Sequence, residues 1–184
     1  MPPAEPVYIL AFTPLFQRWS GMVDGDIQLF VTLGGHPIGS AWKPPVGKLL
    51  RSDDDGTRLE LGDLIDANGF TLLASSRARE VLETVLGDGG EFLPVLTEDG
   101  LVLWAFNTFS VVDAFDEDTS LYERLRHGQI WQISSYVFRP DVVANLTSFK
   151  CPSIRGTLFV KERVVAAAAE AGLQGQVFQR VWSP

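Results

Sequence analysis

The chain has 184 residues, a length within the usual range for one folded domain, and its formal net charge is −8. Hydrophobic residues make up 46% of it and charged residues 21%, so we expect a packed core and neither a disordered nor a fibrous protein. An excess of negative charge repels phosphate backbones and argues against nucleic-acid binding as the main activity. Charge of this sign attracts basic partners, although it is equally typical of a protein that only needs to stay soluble.

The cysteine content and the first residues bear on location. Cys151 is the single cysteine, so no intramolecular disulfide can form, and the opening residues MPPAEP lack the basic and apolar parts of a secretory signal. The longest apolar stretches, residues 27–33 and 101–112, are shorter than the roughly 18 to 20 residues of a membrane-spanning helix. We therefore expect a cytoplasmic protein without a membrane segment.

The N-terminal part of the sequence predicts short strands separated by breakers. Residues 7–12 form an apolar run, and residues 27–33 form a second one between Gly25 and the pair Gly34 and Gly35. Residues 36–56 are rich in Pro and Gly and include three consecutive aspartates, which predicts a long exposed loop.

A central helix and a hairpin follow. Residues 75–86 have apolar side chains at three- and four-residue spacings, with Ser75 or Ser76 available as the N-cap and Gly87 available to end the helix. Residues 92–97 and 101–112 flank a short turn that contains Gly100, which predicts a β-hairpin.

The C-terminal part alternates between strands and helices. Its predicted elements are a strand at residues 130–138, a short helix at 140–146, a strand at 157–160, a helix at 161–171 and a strand at 176–182. The expected fold class is therefore α+β, with a mixed, mainly antiparallel sheet, two main helices and a strand-rich N-terminal lobe. We expect one domain over residues 1–184, with residues 1–56 and 57–184 as its two sub-lobes.

The motifs of enzymes and cofactor sites are missing from the sequence. The chain has two histidines, both in turn-rich stretches, and it contains neither a Gly-x-Ser-x-Gly elbow nor a glycine-rich phosphate loop. Cys151 lies in an apolar stretch, which favours a small buried residue over a nucleophile. One cysteine and two distant histidines do not make a zinc site, and neither acidic run ends on the Glu that a calcium loop needs. We expect no catalysis, no cofactor and no metal.

Several ordered sequence blocks resemble one known family. They are LASSRAREVLE at residues 73–83, FLPVLTEDG at 92–100, FDEDTS at 115–120 and the ending LFVKERVVAAAAEAGLQGQVFQRV. In this order and spacing, over roughly residues 60–182, they resemble the immunity protein 11 family of bacterial polymorphic toxin systems. The positions that carry the resemblance are Ser76, Pro94, Asp116, Ser120, Gly175 and Phe178.

The resemblance implies a cytoplasmic, non-catalytic protein that binds and neutralises a cognate bacterial toxin encoded nearby. A cationic toxin would be attracted by acidic side chains and anchored by an aromatic one. The candidate contacts are Asp113, Asp116, Glu117, Asp118 and Trp131. A solvated loop is the more usual explanation of such acidic residues, and a core position is the more usual one for a Trp. The alternatives are an enzyme with an unrecognised carboxylate site and a structural subunit of a larger assembly, and the oligomeric state stays open.

Overall fold

The computed structural model describes residues 5–11, 13–21, 26–67 and 70–184. Within these residues the chain forms runs of one to four strands that are separated by helices. The strands are β1 (Val7–Ala11), β2 (Arg18–Gly21), β3 (Val46–Leu50), β4 (Leu64–Ile65), β5 (Leu73–Ala74), β6 (Gly90–Thr97), β7 (Val102–Thr108), β8 (Leu121–Arg124), β9 (Ile130–Ser135), β10 (Ser148–Cys151), β11 (Ile154–Lys161) and β12 (Val177–Trp182). The helices are α1 (Asp26–Thr32), α2 (Ser76–Leu86), α3 (Pro140–Val143) and α4 (Glu162–Glu170).

Helix α2 forms as the sequence predicts. The Ser75 side chain caps its N-terminus by accepting a hydrogen bond from the Ala78 N–H at 3.1 Å, and Gly87 ends it with a φ of 53°. Ala78, Leu82 and Leu86 are buried, and their four-residue spacing places them on one helix face. Among the described helices α2 is the longest, with 11 residues, and none of them has the length and hydropathy needed to cross a bilayer.

Six strands form a sheet in the order β2-β3-β6-β7-β5-β4. The β6–β7 hairpin is confirmed, with Gly100 at a φ of 86° in its turn. The Trp19 N–H of the edge strand β2 donates to the Asp66 carbonyl oxygen, just beyond β4, at 2.9 Å. The two edges of the sheet therefore meet, and the sheet curls around a core that includes Trp19, Phe30 and Val95.

Four strands form a second sheet in the order β10-β11-β1-β12, and all its pairs are antiparallel. One face of this sheet packs against α2 and α4 in a shared apolar cluster. The other face carries an aromatic cluster, on which β8, β9 and α3 rest. The predicted mixed α+β class, with mainly antiparallel sheets and two main helices, is confirmed.

The prediction of a strand at residues 27–33 is wrong, because this stretch forms α1. Phe30 and Leu33 are three residues apart and both enter the core of the six-stranded sheet, whereas Leu29 and Gln28 are exposed. A short apolar run does not distinguish a strand from a buried helix by its periodicity. Gly25, the expected boundary, lies outside the described residues.

The predicted loop at residues 36–56 contains strand β3, so that prediction is also wrong in part. β3 pairs with β2 in antiparallel and with β6 in parallel. Trp19 covers Gly47 so closely that a Cβ there would lie 2.2 Å from the indole ring. A glycine is therefore required at this point of the strand. Because Gly47 comes shortly after two prolines, the composition of the stretch predicted a loop instead.

Two buried lysines attach the N-terminal segment to the rest of the chain. The Lys150 ammonium donates to the Phe30 carbonyl oxygen of α1 at 3.2 Å, and the Lys161 ammonium donates to the Glu5 carbonyl oxygen at 3.0 Å. Strand β1 lies between β11 and β12, so the N-terminal residues supply a central strand as well.

We predict that residues 57–184 do not fold alone, because that fragment lacks β1, β2 and β3 and leaves β12 without its pairing strand. Near-ultraviolet circular dichroism and urea unfolding of the fragment should show no fixed aromatic packing and no cooperative transition, in contrast to the full chain. A cooperative transition of the isolated fragment would contradict the single folding unit.

Candidate functional site

The candidate site rests on the aromatic cluster of the four-stranded sheet. Phe138 is buried, and its ring lies 5.0 Å from that of Phe159, 5.4 Å from that of Phe149 and 6.1 Å from that of Phe115, between centroids. Phe138 follows β9, whereas Phe149 and Phe159 belong to β10 and β11. This packing fixes the segment that contains β8 and β9 on the sheet.

Strands β8 and β9 form a separate antiparallel pair with one face on this cluster. Tyr122 and Ile133 oppose each other in the pair and pack on the core, with the Tyr122 ring 5.8 Å from that of Phe115. Because side chains alternate along a strand, Leu121 and Glu123 face away from the core. Leu121 is consequently 64% exposed.

Trp131 is displayed by a β-bulge. Glu123 pairs with Gln132 and Arg124 pairs with Ile130, so Trp131 is the extra residue between two paired ones. Its neighbour Ile130 is buried, whereas Trp131 is 68% exposed. The bulge therefore directs a large aromatic side chain into solvent, on the strand that pairs with β8 and its exposed Leu121.

Residues 113–118, here called the acidic loop, precede β8, and two arginines hold them. The Arg139 Nη1 lies 2.9 Å from the Asp113 Oδ2 and also donates to the Asp113 carbonyl oxygen at 3.1 Å. The Glu117 carboxylate forms an ion pair with Arg124 of β8. Two of the four predicted acidic contacts are thus engaged within the chain.

The other two acidic residues have different roles. The Asp116 Oδ1 accepts a hydrogen bond from the Asp118 N–H at 3.1 Å, and the Asp116 N–H donates to the Val137 carbonyl oxygen at 2.9 Å. Asp116 therefore shapes the turn. The Asp118 side chain is exposed, and among the described residues its carboxylate takes part in no hydrogen bond or ion pair.

The structure thus gathers all five predicted contacts around one hairpin. We define the hairpin surface as the acidic loop together with Leu121, Leu125 and Trp131. Sequence reasoning missed Leu121 and Leu125, and it also missed Arg124 and Arg139 as the partners of the acidic loop. Leu121 and Glu123 share one face of β8 and Tyr122 lies on the other, and only the packing of Tyr122 on the core reveals which face is exposed.

Glu91 is the carboxylate to consider for an acid–base site. Burial alone raises its pKa, but hydrogen bonds from the Ile38 N–H at 2.6 Å, the Asn107 amide at 2.9 Å and the Gly39 N–H at 3.2 Å outweigh burial and hold the pKa below its ordinary value. Both carboxylate oxygens are therefore occupied in closing the loop at residues 36–39, and Glu91 acts as an ionised structural group.

The other polar candidates lie apart from one another. His36 and His127 are exposed, as their turn-rich surroundings predict, and Cys151 is buried. Burial raises the pKa of the Cys151 thiol to about 11, which keeps it protonated at neutral pH. Within the described part of the chain, no three His, Cys, Asp or Glu side chains come close enough together to hold a metal ion.

Comparison with models of known protein families matches residues 43–183 to the Immunity protein family (Imm11). The match confirms the resemblance predicted from the sequence and extends it upstream to β3. It includes the hairpin surface, whereas β1, β2 and α1 precede it. No curated protein matches the chain.

Proposed function

Because the chain belongs to the Imm11 immunity protein family, we propose that it binds a cognate bacterial toxin and neutralises it by occupying the toxin's surface. In this proposal the partner is a toxin domain encoded nearby. Binding takes place in the cytoplasm through the hairpin surface, and it involves neither turnover nor a cofactor.

The observation that carries the choice of surface is the exposure of Trp131. Interfaces take most of their binding energy from a few large side chains, among which Trp is enriched. Trp131 is 68% exposed although its neighbour Ile130 is buried in the core, and Leu121 adds a second exposed apolar side chain. Trp131 is thus suited to be the main apolar contact with a partner, because the hairpin that carries it is fixed on the core.

The fixed position of the hairpin matters because the ordering of mobile groups on binding costs conformational entropy and lowers affinity. Tyr122 and Ile133 fix the inner face of the hairpin on the aromatic cluster, and two arginines hold the acidic loop. The surface is therefore formed before the partner arrives. Little conformational entropy should be lost when a toxin binds it.

Charge supports the same partner chemistry. The chain carries a net charge of −8, and the Asp118 carboxylate at the hairpin surface projects into solvent. Negative potential accelerates the encounter with a cationic partner more than it strengthens the final complex. We therefore assign steering to Asp118 and anchoring to Trp131.

We predict that Trp131→Ala weakens toxin binding about 10- to 100-fold, mainly through faster dissociation, because it removes the central apolar contact. Surface plasmon resonance with an inactivated domain of the neighbouring toxin measures both rates. The matched control is Leu15→Ala, since Leu15 is also 68% exposed but lies on the turn between β1 and β2.

Urea unfolding should give Trp131→Ala the same stability as the unmodified chain within about 0.5 kcal/mol, as is usual for exposed positions. A loss of affinity then reports contact with the toxin and not unfolding. Equal dissociation rates for the unmodified chain and Trp131→Ala would remove Trp131 from the interface.

We predict that Asp118→Lys slows association about threefold or more at low salt and that added salt reduces the difference, because the effect is electrostatic. Asp118 is chosen over Asp113 and Glu117 since it belongs to neither ion pair of the acidic loop. Asp54→Lys makes the same charge change at an exposed position in a remote turn. Association rates that are equal for the two variants would reject a specific role of the acidic loop.

A further inference from the structure

Strands β10 and β11 separate locally and leave a cavity at their end. Phe149 pairs with Phe159 and Cys151 pairs with Ile154, so Lys150 alone stands opposite residues 155–158. Gly156 in this bulge has a φ of 85°, which a residue with a side chain adopts only with strain. Bulges often adjoin functional sites, where they redirect a side chain or end the strand pairing.

The cavity has a volume of about 320 Å³ and lies between the C-terminal end of α1 and the turn after β10. Its walls include the apolar side chains of Val31, Leu33, Val111 and Pro152. Gly34 lines it as well, and a Cβ there would lie 3.5 Å from the Lys150 Cδ. The missing side chain of Gly34 keeps space open beside the lysine.

Lys150 lines this cavity and is only 4% exposed. Among the described residues its ammonium donates one hydrogen bond, to the Phe30 carbonyl oxygen at 3.2 Å, although an ammonium has three donors. Burial lowers the pKa of Lys150 to about 8. Among the described residues no carboxylate pairs with it, and a buried charge without a counter-ion is costly.

We propose that this cavity is a binding site for a small carboxylate, whose anionic oxygens pair with the Lys150 ammonium and whose apolar part contacts Val31, Leu33 and Val111. The volume corresponds to about ten water molecules, which sets the size of the ligand at roughly ten non-hydrogen atoms. The described lining has Gln28 and Thr32 as neutral polar residues and Lys150 as its one charged residue, which suits a monoanion, whereas a phosphate takes several charged donors. This site is independent of the hairpin surface and of toxin binding.

The direct test follows the lysines by nuclear magnetic resonance. The chain has four lysines, Lys43, Lys48, Lys150 and Lys161, so ¹³C labelling at Cε gives four signals. Titration with hexanoate should shift the Lys150 signal saturably and raise the pKa of Lys150 by about one unit or more, because the bound anion stabilises the charged form. Hexanamide, which lacks the charge, should not raise that pKa.

Lys161 is the internal control. It is 0% exposed and donates to a backbone carbonyl oxygen, as Lys150 does, but it does not line this cavity. The Lys161 signal should stay in place during the titration. A Lys150 signal that does not move, or one that moves no more than that of Lys161, would overturn the proposal.

Calorimetric titration of variants gives a second readout. Lys150→Met should abolish saturable hexanoate binding, whereas Lys161→Met should retain it. Val111→Trp narrows the cavity from an exposed position and keeps the lysine, so it should weaken binding at least tenfold and serves where Lys150→Met does not fold. Hexanoate binding that survives Val111→Trp unchanged would place the ligand elsewhere and contradict the proposal.

Discussion

The packing of Phe138 is the interaction on which the hairpin surface depends. Its ring contacts those of Phe149 and Phe159 in the four-stranded sheet and that of Phe115 within the acidic loop, and Phe115 and Phe138 also form a β-bridge. Truncating such a buried ring typically costs about 3 to 5 kcal/mol. One buried side chain thereby links the stability of the core to the orientation of a surface that is otherwise a two-stranded ribbon, and such ribbons are marginally stable alone.

The charged side chains near the hairpin mainly fix the conformation of the acidic loop. The ion pairs of Asp113 with Arg139 and of Glu117 with Arg124 are solvent-exposed, and pairs of this kind contribute at most about 1 kcal/mol each. They also neutralise half of the acidic loop, so its electrostatic effect on a partner is weaker than its composition implies. In the proposed function, Asp118 adds local attraction to that of the net charge of −8, and Trp131 supplies short-range affinity.

The sequence predicted elements well where a residue has one clear physical role, such as the cap or the end of a helix. Ser75 and Gly87 delimit α2, and Gly175 must be glycine because a Cβ there would lie 2.0 Å from the Leu64 carbonyl oxygen. Ser120, another family position, also has a structural role, since it is buried and its Oγ accepts a hydrogen bond from the Val137 N–H at 3.0 Å. The features that the sequence did not predict depend on long-range packing. Phe30 and Leu33 pack into the core from the helix at residues 27–33, and a β-bulge without a sequence signature exposes Trp131.

Hydrogen–deuterium exchange of the protein, alone and with an equimolar amount of the neighbouring toxin's inactivated domain, tests the central claim most directly. If the protein binds its partner through a preformed surface, peptides that cover residues 113–135 should exchange more slowly in the complex. The aromatic cluster beneath them should be well protected in both states, because the support is already folded. Protection confined to other parts of the chain, with residues 113–135 unchanged in a saturated complex, would contradict the account.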